Sequence, residues 1–128
     1  MMQFENISDV VTGTFDGQLM NGDDGNIYPV PANYASKSKL LEGDILKLTI
    51  LEDGKFIYKQ INPMTRHTSF ATIDLSEKFP VATLTDGTTR KILQASVSFF
   101  NIEHGDRIVV LISPNKDDQW AAIEAVLS

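Results

Sequence analysis

An all-β fold built from two copies of one ββ-helix-ββ unit is what this sequence predicts. Three observations carry that expectation. The first is an internal repeat, which is best sought before single motifs are read. At a shift of 62 residues Asp24-Gly25 falls on Asp86-Gly87 and Gly43-Asp44 falls on Gly105-Asp106. At the same shift Leu46, Leu48 and Ile50 fall on Ile108, Val110 and Ile112, Val11 meets Ile73, and Leu19 meets Val81. After Ile112 the repeat takes a two-residue insertion, "SPNKDD" against "LEDG", which brings Phe56 opposite Trp120. The second observation is strict alternation, as in "DILKLTI", which marks a strand with one buried face. The third is punctuation by Asp-Gly and Asn-Gly pairs, which suit tight hairpin turns.

The elements follow in order. "QLMNGDDGNIYPV" reads as strand, turn and strand, and "DILKLTILEDGKFIYKQI" as a hairpin over residues 44–61. "PVATLTDGTTRKIL" and "DRIVVLISPNKDDQWAAIEAV" repeat both hairpins in the second half. The connectors "PANYASKSKLLEG" and "QASVSFFNIEHG" exceed a tight turn, and each has room for one short helix before its Gly-Asp corner. Pro29 and Pro31 end strand pairing sharply on the first side. Residues 62–69 join the halves without a low-complexity linker, so a single domain over residues 1–128, with repeats near 8–62 and 70–127 and one shared core, is expected.

Tyr28 to Pro63 resembles the AbrB/MazE-type swapped-hairpin module, a strand, Val-Pro, short helix, Gly-Asp corner, strand, Asp-Gly turn and closing strand. Val30-Pro31, Gly43-Asp44 and Asp53-Gly54 stand in that order here. The Gly-Asp corner also occurs across the wider cradle-loop barrels, so the resemblance implies a pseudo-two-fold cradle-loop barrel, the fused version of a two-fold dimer. The second half keeps Gly105-Asp106 but lacks the Pro. "PANYASKSKL" and "WAA" are also similar to segments of small uncharacterised acidic proteins of streamlined bacteria, some labelled ribosomal-stalk-like. No Ala-rich hinge or stalk helix accompanies them here.

Composition narrows the chemistry. The chain has 128 residues, a net charge of -6 and no Cys, which excludes disulfides, thiolate metal sites and cysteine nucleophiles. No apolar run is long enough to span a membrane, and no signal peptide opens the chain, so a cytoplasmic protein is expected. His67 and His104 are isolated, and no nucleophile elbow, phosphate-binding glycine loop or dinucleotide fingerprint occurs. Asp23-Asp24 lacks the spacing and distal Glu of a calcium loop and reads as a polar turn. An enzyme is therefore not expected, and neither is a cofactor or a metal.

The AbrB-like resemblance implies DNA binding, which needs cations gathered against phosphates. Residues 1–62 hold five Lys against nine Asp and Glu, and residues 63–128 hold six Lys and Arg against eight. The candidate nucleic-acid contacts are Lys37, Lys39, Lys47, Lys59, Arg66, Arg90 and Lys91, with no cation before Lys37. Apolar asymmetry is the stronger signal. Lys47 and Thr49 on the outward face of the first corner strand become Val109 and Leu111 in the second, and Lys37-Ser38 becomes Phe99-Phe100. A face that turns apolar in one copy alone covers something, either the N-terminal segment or the link between the halves, or a partner chain or second copy. For the latter case Phe99, Phe100, Val109 and Leu111 are the candidate protein contacts. The expected function is a non-enzymatic binding or scaffold module with a protein partner or a second copy of itself. An AbrB-like transcriptional regulator is the alternative.

Overall fold

The computed structural model describes residues 6–63, 65–115 and 117–127. In the first half β1 (Ile7–Phe15), β2 (Leu19–Gly22) and β3 (Ile27–Pro29) precede α1 (Ala32–Lys37), and β4 (Ile45–Leu51) and β5 (Phe56–Asn62) follow it. The second half repeats the series as β6 (His67–Asp74), β7 (Val81–Leu84), β8 (Thr89–Lys91), α2 (Gln94–Phe99), β9 (Arg107–Ile112) and β10 (Ala122–Val126). Each half forms its own five-stranded antiparallel sheet, in the orders β3-β2-β1-β4-β5 and β10-β9-β6-β7-β8. The chain is thus mostly β, as expected, and both sheets are open.

Local chemistry accounts for the shared plan. Pro31 supplies an extended residue ahead of α1, and its carbonyl accepts the Ala35 N–H at 3.0 Å. Both helices end alike. Lys39 and Asn101 take left-handed φ of 52° and 58°, and the next N–H reaches back five residues, Leu40 to Ala35 at 3.0 Å and Ile102 to Val97 at 2.9 Å. Both corners then close identically. Leu41 N–H donates to Asp44 Oδ2 and Glu103 N–H to Asp106 Oδ2, each at 2.8 Å. Gly43 and Gly105 take φ of 100° and 87°, which side chains resist, and their N–H groups donate to Phe15 O and Ile73 O.

Those last bonds correct the repeat. They make Phe15, not Val11, the counterpart of Ile73. Gly13 opposite Leu46 then answers to Ala71 opposite Ile108. The shift is 58 through β1 and β6, and returns to 62 at Leu19 and Val81 because the β6–β7 connection is four residues longer. Beyond the corner strand, Leu48 faces Tyr58 whereas Val110 faces Ile123, so the second insertion is three residues, not two. Trp120 therefore lies one position before the counterpart of Phe56.

The single shared core does not form. Phe15, Met20, Leu40, Leu46 and Leu48 fill the first half, while Ile73, Ile92, Ile102, Ile108, Val110 and Ile123 fill the second. Alternation decides this, because each sheet turns one face inward onto its own helix and leaves the other outside. The halves meet elsewhere. α1 lies beside α2, where Ser96 Oγ donates to Ser36 Oγ at 3.2 Å, and Leu93 packs against the first core. A third cluster of Leu41, Leu111 and Ala122 joins the first corner to the second sheet.

Candidate functional site

The outward face of the second sheet carries two of the four sequence-predicted contact residues, Val109 and Leu111, and the first half divides it. In one cross-strand row Thr68 faces Leu111, which faces Ala122. Leu111 is only 8% exposed because Leu41, from the loop after α1, sits on it. Glu42 of the same loop accepts the Gln119 N–H at 2.9 Å and the Trp120 N–H at 3.3 Å. Lys39 completes the clasp with an ion pair to Glu124 at 3.1 Å. Leu111 is thus covered by the chain itself.

The neighbouring row is left open. Phe70 faces Val109, which faces Ala125. Val109 and Ala125 are half-buried, whereas the Phe70 ring is 57% exposed. Through the corrected repeat, the Phe70–Val109 pair answers to Thr12–Lys47 in the first sheet. The apolar asymmetry therefore extends to a residue that sequence reasoning missed. Phe70 was hidden by the four-residue offset, since at a shift of 62 it falls on Ser8.

Phe99 and Phe100 divide as well. Phe100 packs on the second core, and Phe99 meets its ring edge-on at 4.9 Å while remaining 50% exposed. Both stand at the end of α2, because that helix stops at the left-handed Asn101.

The seven candidate nucleic-acid cations do not gather. Lys39 is held by Glu124, and Arg66 by Asp44 and by the Lys39 carbonyl at 2.9 Å. Arg90 is 9% exposed, on the core side of β8 opposite Ala82. Lys91 sits over Trp120. Lys47 and Lys59 face each other across β4 and β5, on the outward face of the other sheet. Lys37 closes the last turn of α1.

Titratable groups outside this face have structural roles. His104 Nδ1 accepts the Leu75 N–H at 3.0 Å, and His67 opens β6 in exposed surroundings. Asp86 takes the Thr88 hydroxyl at 2.6 Å and the Thr88 N–H at 2.9 Å, which hold its carboxyl below the ordinary value. Among the described residues no group of acidic or histidine side chains is arranged to hold a metal, and no helix is long and apolar enough to cross a membrane. No protein-family model matches the chain, and no curated protein or solved structure matches it.

Proposed function

We propose that the chain is a non-enzymatic binding module of the cytoplasm, that it acts through protein contacts, and that the Phe70–Val109 row is its contact surface. One observation carries this reading: the replacement of the Thr12–Lys47 pair of the first copy by an exposed Phe–Val pair in the second. An exposed aromatic beside a β-branched residue gains hydrophobic free energy when a partner removes it from water. The intramolecular clasp supports the same reading, since it uses the Leu111 row and stops one row short of Phe70.

The barrel belongs to the proposal too. We propose that the two halves together belong to the AbrB-like, pseudo-two-fold cradle-loop barrels, supported by the equivalent Gly-Asp corners. A second support is the bonding of Lys91 N–H to Gln119 O at 2.7 Å and of Ala121 N–H to Lys91 O at 3.0 Å, which draws β8 towards the start of β10.

The experiment restores the first-copy pair by making Phe70→Thr and Val109→Lys together. Wild-type protein is expected to self-associate in sedimentation velocity or to retain a stoichiometric protein partner from extracts of its source cell. The double variant is expected to keep its thermal midpoint and lose that association. A wild-type chain that stays monomeric and retains nothing, or a variant that retains the partner, overturns the proposal.

A further inference from the structure

The turn between β7 and β8 faces the segment 117–119 across a cavity of about 540 Å³, within the range of small-molecule sites. Arg90 and Lys91 contribute two cations to its wall, Asp86, Asp117 and Asp118 three carboxylates, and Gln119 an amide. Arg90 is the unusual member. It lines the cavity yet is more than nine-tenths buried, and its Nη1, closed off within the protein, has no hydrogen-bond partner among the described residues. Buried guanidinium groups are ordinarily paired, so an orphaned one needs an explanation.

The first copy shows how the same position is satisfied without a ligand. Arg90 faces Ala82 as Tyr28 faces Met20, and Asp86 stands where Asp24 does. Tyr28 donates its hydroxyl to Asp24, while Asn26 N–H bonds the same carboxylate at 3.0 Å. In the second copy Thr88 takes over the role of Asn26, and among the described residues Arg90 acts on Asp86 through its charge and not through a hydrogen bond. A closed tyrosine–carboxylate contact has been exchanged for a guanidinium beside a cavity.

The lining decides the ligand class. A planar guanidinium matches a carboxylate in bidentate fashion. Three carboxylates around the cavity oppose a dianion such as phosphate, and two cations oppose a metal ion. A ligand with a carboxylate at one end and an ammonium at the other satisfies both parts. We infer that this cavity binds a zwitterion of the amino-acid or short-peptide class, with its carboxylate on Arg90 and its ammonium against Asp117 and Asp86. This inference stands apart from the Phe70 surface and does not depend on it.

The probe is dialanine, titrated into ¹⁵N-labelled full-length protein. The Arg90 side-chain N–H and the amides of Thr88 and Gln119 should shift saturably, with half-saturation below 10 mM. N-acetyl-dialanine and dialanine amide, each lacking one charge, should bind at least fivefold more weakly, and inorganic phosphate more weakly still. Arg90→Tyr, the first-copy residue, should abolish the shifts while the amides of the first sheet keep their positions. Should that variant fail to fold, Asp117→Asn on the surface serves instead and should weaken dialanine at least threefold. No saturable shift by dialanine, equal binding of the capped forms, tighter phosphate binding, or full affinity in the folded Arg90→Tyr or the Asp117→Asn protein each overturns the inference.

Discussion

Arg66 holds the carboxylate of Asp44. Its guanidinium bonds Asp44 Oδ1 and the Lys39 carbonyl, while Leu41 N–H and Gln60 Nε2 reach Asp44 Oδ2 at 2.8 Å each. Asp44 is fully buried, whereas its counterpart Asp106 is half-exposed, and among the described residues only the Glu103 N–H is seen to reach it. Removing one partner of a buried ion pair leaves a charge without compensation. Arg66→Ala should therefore destabilise the chain by about 3 kcal/mol in urea unfolding. Asp44→Asn should cost a similar amount, and Asp106→Asn only about 1 kcal/mol. Equal costs at the two corners would remove the argument.

Leu41 and Leu111 report on the clasp between the halves. Leu41→Ala should lower stability by about 2–4 kcal/mol, the scale of a buried leucine truncated in place. Leu111→Thr, the first-copy residue, should cost at least as much as Leu41→Ala, because it also buries a hydroxyl. The double variant should be less damaging than the sum of the two, since both remove one contact. Additive losses in a double-mutant cycle would show that the two side chains do not act together.

Gly17 lies under the indole of Trp120. With φ of 111° and a Cβ that would come within 2.3 Å of the ring, it admits no side chain without moving the indole. Trp120 is the only tryptophan, so fluorescence excited selectively at tryptophan reads the surroundings of this one ring. Gly17→Ala should red-shift the emission as the ring moves into water. It should also lower stability by about 1–3 kcal/mol, as at a strained backbone site. An unchanged spectrum would mean that the ring does not rest there.

The Tyr28–Asp24 bond predicts a pH window. The Tyr28 hydroxyl, followed by the Asn26 N–H, lowers the Asp24 pKa below the ordinary 3.8, and Asp24 in turn raises that of Tyr28 above 10.0. A lowered carboxyl contributes stability that is present above its unfolded pKa and lost as pH falls through the folded one. A raised phenol contributes stability that is present below its unfolded pKa and lost as pH rises through the folded one. Tyr28→Phe should return the Asp24 titration, followed by carboxyl NMR shifts, towards its ordinary value and flatten the acid limb of stability. An unmoved Asp24 titration would show that the hydroxyl is not its partner.

Much of the frame was legible because it rests on local chemistry. The hairpin turns, the two short helices and both corners announce themselves through Asp-Gly, Gly-Asp and two-residue alternation. Long-range placement was not legible. Alternation tells which side of β9 avoids water, but not that Leu41 covers Leu111 while Phe70 and Val109 stay open. The pairing of Lys39 with Glu124 joins residues 85 apart, and no spacing rule reaches that far. The four extra residues before β7 carry no turn signature strong enough to break a fixed shift. A fixed shift of 62 therefore runs past them and sets Val11 where Phe15 belongs.

Keeping every strand pairing inside its own half has a consequence for synthesis. Among the described residues the first sheet pairs within 7–62 and the second within 67–126. Once Arg66 has left the ribosome, the first half holds all of its own sheet and the cation that satisfies its buried corner. It can close before the second half exists, and it then presents Leu41 as a preformed seat for the later β9. Vectorial synthesis would thus order assembly of the two halves, and a chain cut in the segment joining them should yield fragments that find each other again through that seat.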